Sequence, residues 1–168
     1  MATAAILVSV EEYLTTVYRP DCEYVDGVVL ERNVGETDHS NLQMMMAGYL
    51  WSRRELWGIT VLPEERVQVK PRRFRVPDIT VVAGPLPKTR VLLDPPLLCI
   101  EILSPEDRMV RVQESVRDYL DFGVRCVWIV NPETRQGYVC NAEGMFEAKD
   151  GVLRVAGSPI AVPLAELG

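Results

Sequence analysis

Between Pro95 and Leu103 the chain runs Pro-Pro-Leu-Leu-Cys-Ile-Glu-Ile-Leu, an almost unbroken apolar stretch of strand length interrupted by one carboxylate, Glu101. A strand with one wet face alternates polar and apolar residues. A run of this kind is buried on both faces of a sheet and needs covering structure above and below it. Val127-Trp128-Ile129-Val130 has the same character. Two such strands, with helical patterns between and before them, put the chain in the α/β or α+β class, a mixed β-sheet flanked by helices. Its 168 residues, 48% of them apolar, are enough for a core without disulfide or metal staples, and 1–168 reads as a single domain.

The remaining elements follow from local signals. Ser9 is a good N-cap with Glu12 three residues on, which predicts a short helix over Val10–Val17. Asp26-Gly27 between Glu23-Tyr24-Val25 and Val28-Val29-Leu30-Glu31 predicts a tight hairpin. From Thr37 onward Leu42, Met45, Met46, Tyr49 and Leu50 share one helical face, so a long amphipathic helix is expected to end near Trp57-Gly58, with Met44-Met45-Met46 in its core. Ile59–Leu62, Val67–Lys70 and Asp78–Val82 read as strands. Ser104-Pro105-Glu106-Asp107 opens a second helix with the stripe Met109, Val112, Val116, Tyr119 and Leu120, closing at Gly123. Tyr138–Val162 reads as short strands with turns at Glu143-Gly144 and Asp150-Gly151. The expected architecture is therefore an N-terminal helix and hairpin, a helix-flanked sheet and a small C-terminal β extension.

Lys and Arg total 18 against 24 Asp and Glu, a net charge of −6, so whole-molecule attraction to a phosphate backbone is excluded as a binding strategy. Contact with nucleic acid has to be local or metal-assisted. The one basic cluster is Lys70-Pro71-Arg72-Arg73-Phe74-Arg75, readable as a phosphate-tracking loop that would touch DNA through Arg72, Arg73 and Arg75, or as a solvated hairpin turn. Cys22, Cys99, Cys126 and Cys140 show no C-x-x-C spacing and read as reduced, mostly buried thiols. The start MATAAILVSV lacks the basic region of a signal peptide and no apolar run approaches the ~20 residues that span a bilayer, so a cytoplasmic protein without a membrane partner is expected. The β-rich tail offers a pairing surface for a homodimer.

Chemistry is sought where a charge sits against its pattern, because burying one is costly unless it is paired or binds a metal. Glu101 lies in an apolar strand and Asp78 follows Pro77 at the head of another. If the strands are neighbours, the two carboxylates converge at the sheet rim and can share Mg²⁺ or Mn²⁺ through hard oxygen ligands. The competing reading pairs Glu101 with an arginine and leaves Asp78 capping a turn. His39, the only histidine, precedes Leu42 by three and points near the inward face of its helix, where the helix N-terminus would keep the ring neutral as ligand or base. It could equally be a cap or a packed residue. On the second helix Arg108, Arg111 and Ser115 share a flank, either aimed at the acids or facing solvent. Glu23, beside the hairpin turn, has a cross-strand surface pair as its plainer explanation.

Taken in order, Glu23-Tyr24-Val25-Asp26-Gly27, His39 at a helix start, Pro77-Asp78-Ile79, Glu101-Ile102-Leu103-Ser104-Pro105, Tyr119 with Gly123-Val124, and Val127-Trp128-Ile129-Val130-Asn131-Pro132 resemble the Uma-two family of restriction-endonuclease-like proteins. The resemblance runs from about Val10 to Pro132. It implies the PD-(D/E)-x-K nuclease fold and Mg²⁺-dependent hydrolysis of DNA phosphodiesters, with Asp78, Glu101 and the backbone carbonyl of Ile102 as metal ligands and His39 and Glu23 as matching positions. The chain departs from that pattern at the lysine. Leu103 stands two after Glu101, and the family's alternative position, four residues before the tyrosine, is Ser115. Arg108 or Arg111 could supply a cation, but arginine does not accept a proton from water. Two classes of function are thus expected: a metal-dependent endonuclease, or a nuclease-fold domain that binds or assembles without catalysis. A hydrolase acting on another phosphoester is a third.

Overall fold

The computed structural model describes residues 6–33 and 35–168, so the first half of the MATAAILVSV start, on which the signal-peptide reading partly rests, lies outside the described residues. Helix α1 (Val10–Thr15) begins where expected, the Ser9 hydroxyl accepting the Glu12 N–H at 3.1 Å. It stops two residues short of Val17. The Thr15 and Thr16 hydroxyls bond back to the Glu11 and Glu12 carbonyls, and Thr16 has already turned extended. Strands β1 (Glu23–Val25) and β2 (Val28–Leu30) form the hairpin, with φ of 50° at Asp26 and 100° at Gly27, the positive pair that a primed two-residue turn requires.

The basic cluster does not form a loop along which phosphates could run. Strands β4 (Val67–Lys70) and β5 (Arg73–Arg75) are a hairpin that joins β1 and β2 in a four-stranded sheet of order β2-β1-β5-β4. Arg75 is 2% exposed and lies between Glu23 and Asp118, and Arg73 is half-buried against Asp26 and Asp118. The expected DNA contacts through Arg73 and Arg75 are therefore corrected: both guanidiniums are committed to internal carboxylates, and Arg72 alone of the three is exposed.

The second sheet has six strands in the order β10-β9-β8-β7-β6-β3. They are β3 (Ile59–Pro63), β6 (Ile79–Ala83), β7 (Leu98–Ile102), β8 (Cys126–Val130), β9 (Gly137–Asn141) and β10 (Gly144–Glu147). β7 and β8 are parallel and the other neighbours antiparallel, which gives the mixed sheet expected. Period-two alternation divides β7 between two cores. Leu98, Ile100 and Ile102 pack with Leu42, Met46 and Leu50 of α2 (Thr37–Ser52), and Cys99 packs with Val112, Val116 and Tyr119 of α4 (Met109–Phe122). The apolar run of β7 is thus buried on both faces because a helix covers each. β11 (Val152–Arg154) and β12 (Ala161–Pro163) close over the α2 side.

Three local expectations are revised. The long helix breaks at Arg53 into α2 and a single turn, α3 (Arg54–Trp57), capped by left-handed Gly58. Met44 is 72% exposed, because only Met45 and Met46 of the run share the stripe. The second helix starts at Met109, not at Ser104: the Asp107 carboxylate accepts the Ser104 N–H at 2.6 Å and its own N–H returns to the Ser104 carbonyl, a closed turn that satisfies those groups before the helix begins. Gly123 ends α4 with φ 109° as predicted.

All four cysteines are free and buried, and burial pushes the Cys126 thiol up to about 12 and Cys140 to about 11. Since the thiolate is the reactive form, a disulfide reagent at pH 8 is expected to label the folded protein slowly and to titrate four thiols promptly in denaturant. Prompt labelling of native Cys126 or Cys140 contradicts the packing described.

Candidate active site

The strand register, not proximity in sequence, brings the acids together. β6 and β7 pair with Ile79 opposite Ile100 and Thr80 opposite Cys99. Continued by one residue, that register sets Asp78 across from Glu101, and opposed residues carry their Cβ atoms about 5 Å apart. Both acids fall on the face of Thr80 and Cys99, the side covered by α4. Pro77, with no N–H to donate, interrupts the ladder just before Asp78, so this point of the sheet is free of another rung although it is buried.

Asp78 is 4% exposed and highly connected. Its Oδ2 accepts the backbone N–H of Ile102 at 2.7 Å and lies 3.3 Å from His39 Nε2, and its Oδ1 accepts from Arg32 at 2.9 Å. Glu101 has less support, since its Oε1 accepts the Tyr119 hydroxyl at 2.6 Å and no arginine bonds it. The N–H of Leu103 bonds Val130 on the β8 side. Ile102 therefore turns its N–H, and with it its carbonyl, toward Asp78.

The side chains surround a cavity of about 70 Å³, room for a few water molecules, lined by Asp78, Glu101, Ile102, His39 and Glu23. From α4, Arg111 and Ser115 also line it. Arg111 is tethered to the Glu31 carbonyl at 2.7 Å and lies 3.9 Å from Glu23, whereas Arg108 is the exposed residue preceding α4 and is not among the lining residues. Ser115 is 6% exposed and faces inward. Glu23 is 5% exposed, bound to Arg75 at 2.9 Å and to the Val76 N–H at 3.3 Å, which replaces the surface-pair expectation.

Arg32 and Tyr119 are the parts sequence reasoning undervalued. Tyr119 read as stripe and family position, yet its hydroxyl is the partner of Glu101. Arg32, which has no local signal, follows a surface hairpin where an arginine is ordinary; only the fold aims it at a carboxylate 46 residues away.

Burial drives the charge states. Desolvation, reinforced by Asp78 and Glu23, raises the Glu101 carboxyl well above the usual carboxylate range. The hydrogen bond to Asp78 raises His39, outweighing its burial. This corrects the expectation of a histidine kept neutral by the helix N-terminus: a carboxylate at contact distance exceeds a partial helix charge. His39 Nδ1 is buried without a partner among the described residues. Burial pulls Arg32 down, but Asp78 with Glu101, Glu64 and Glu23 outweighs it and leaves Arg32 firmly charged.

These residues suit a small hard dication held partly by water. The available donors are carboxylate and carbonyl oxygens, and the Glu101 charge is disfavoured by burial and by the neighbouring Asp78 and Glu23. Among the described residues no group of three or more His, Cys, Asp or Glu side chains is placed to hold a metal ion, so an ion here would have to rely on two carboxylates, a carbonyl and water. The described residues also contain no helix long and apolar enough to cross a membrane.

A family named Uma2 and described as "Putative restriction endonuclease" matches residues 10–155. The crystal structure of "a putative nuclease belonging to DUF820" from Anabaena variabilis ATCC 29413 aligns with a TM-score of 0.81 at 21% identity, covering 95% of this chain and 97% of that one. That likeness is one of fold. No curated protein matches.

Proposed function

The chain belongs to the Uma2 family, and from that premise we propose that it is a divalent-metal-dependent endonuclease hydrolysing DNA phosphodiester bonds. The observation that carries this reading is the convergence of Asp78, Glu101 and Ile102 on one cavity, with an arginine of α4 at its wall. Asp78, Glu101 and the Ile102 carbonyl would hold Mg²⁺ or Mn²⁺. Such an ion, when bound, activates water and offsets charge on the phosphoryl oxygens.

The chain's own residues do the rest. The Ile102 N–H fixes one oxygen of Asp78 and Tyr119 fixes one of Glu101, so both carboxylates are preorganised. Arg111, tethered at Glu31 and part-exposed, suits a phosphate oxygen and growing negative charge. His39, held toward its charged form by Asp78, orients that carboxylate as a donor and is poorly suited to accept a proton. No lysine lines the cavity among the described residues; on the family resemblance, Ser115 takes the position of the shifted lysine.

That serine favours a second reading, a nuclease fold retained for binding without catalysis. The two are separated with supercoiled plasmid in Mg²⁺ or Mn²⁺: nicking that chelator abolishes is expected for the enzyme, and nicking that survives chelator, or none with either ion, removes it. Ser115→Lys supplies a proton-active cation at the wall of the cavity and is expected to raise metal-dependent nicking tenfold or more, general acid–base groups being worth about 10²–10⁴-fold. A folded variant that binds metal and gains nothing shows that position 115 is not the place of the missing lysine.

A further inference from the structure

Arg32 is absorbed by neither the catalytic scheme nor the packing of the core. It lies in the connection between β2 and α2 with its side chain 14% exposed, inside the cavity wall. One nitrogen is 2.9 Å from Asp78 Oδ1, and the other is 3.8 Å from Glu64, whose side chain is 50% exposed. Asp78 Oδ2 is already occupied by the Ile102 N–H and His39, so Oδ1 is the oxygen that a second cation can reach without breaking the bond that ties Asp78 to β7.

We propose that Arg32 is a built-in counter-cation which competes with the divalent ion for Asp78 and, once displaced toward Glu64, turns its guanidinium to the substrate phosphate. The inference rests on the metal-site reading above. Charge balance supports it. Of the four carboxylates on the cavity, Glu23 is paired with Arg75 and Asp78 with Arg32, Asp107 accepts from the Asn33 amide and the Ser104 N–H, and Glu101 has only a hydroxyl partner. A dication beside Asp78 and Glu101 satisfies both acids if Arg32 leaves, and meets an adjacent positive charge if it stays. His39 and Arg111, the other cationic groups facing the cavity, bond at Asp78 Oδ2 and at Glu31, so neither contests Oδ1. Glu64, half-exposed and within reach, gives the displaced guanidinium a partner on the way out.

The test is Mn²⁺ binding, followed by the loss of the free-ion electron paramagnetic resonance signal, with plasmid nicking measured in parallel. Arg32→Ala is expected to bind Mn²⁺ roughly ten- to hundredfold more tightly than the native chain, the effect of removing one charge at close range in a partly desolvated site, yet to cleave more slowly at saturating metal. Arg32→Lys, which keeps the charge, should bind as the native chain does. Arg32→Gln keeps a donor for Asp78 without the charge and should show the same tightening, which preserves the test if the alanine variant does not fold. Equal or weaker Mn²⁺ binding by the neutral variants, with the native chain still binding, overturns the role of Arg32 and leaves the metal site standing. No Mn²⁺ binding by any of the four proteins overturns the metal site itself and this inference with it.

Discussion

Replacing Glu101 by glutamine is expected to lower metal-dependent nicking by about 10²–10³-fold and to leave the metal-free fold at least as stable as the native chain. The two effects share one cause. Glu101 is set in an apolar strand, bonded by Tyr119 and not by a cation, and burial together with Asp78 raises its carboxyl well above the usual range. A group whose charged form is disfavoured by the fold contributes nothing to stability as an anion, so glutamine, which keeps the shape and can still accept from Tyr119, removes a penalty and only the function is lost. The sign on the pH axis follows. Between the unfolded carboxyl pKa of about 4.3 and the higher folded value, the unfolded chain releases a proton that the native one keeps, so native stability falls as pH rises through that interval and then levels off. Thermal melting in chelator from pH 4 upward should show that decline in the native chain and a flatter profile in Glu101→Gln. Nicking equal in the variant marks it as contamination and ends the enzymatic reading. A variant that melts well below the native chain at neutral pH shows that Glu101 is a structural anion and not a held-back ligand.

Arg75→Met is expected to be the most damaging single substitution away from the cavity, costing about 3–5 kcal/mol. The guanidinium is 2% exposed and bonds Glu23 at 2.9 Å and Asp118 at 2.7 Å, itself shared with Arg73 at 2.9 Å. It thereby joins β5 to β1 and to α4. Removing it leaves buried Glu23 with only the Val76 N–H and a more distant Arg111, and leaves Asp118 to Arg73 and Lys70 alone, and against a total stability of about 5–15 kcal/mol that loss is enough to leave a sizeable fraction unfolded at moderate temperature. Glu23→Gln and Asp118→Asn added to Arg75→Met should recover most of the loss, since the cost lies in the uncompensated charges and not in the missing pair. Chemical denaturation of the single and triple variants measures both. A single variant within about 1 kcal/mol of native would mean that water reaches the two acids and that the network is not buried.

The four-stranded sheet is also where the sequence was least informative. The hairpin at Asp26-Gly27, the Ser9 cap, the α2 stripe Leu42-Met46-Leu50, the Gly123 stop and the doubly buried β7 and β8 all came through, because each is written in residues three or four apart or in a continuous run. Asp78 and Glu101 stood out for a related reason: a carboxylate in an apolar run violates a local pattern. The hairpin-turn reading of Lys70 to Arg75 holds at its exposed tip, Pro71 and Arg72, but the phosphate-tracking reading misled, because β5 is paired between β1 and β4 with Phe74 and Arg75 buried.

What the chain specified alone was most of its elements apart from β5, their order, the helix-flanked class of sheet, and which acids are out of place, since propensity, capping and burial period are short-range properties. What the tertiary structure alone decided was which charges meet. Arg32 with Asp78, Arg75 with Glu23 and Asp118, and Tyr119 with Glu101 are separated by 46, 52, 43 and 18 positions in the chain. No periodicity encodes such partners. Strand register and helix docking put them in contact, and the low polarity of the interior then makes each pairing, or each charge left without one, large enough to set the properties of the site.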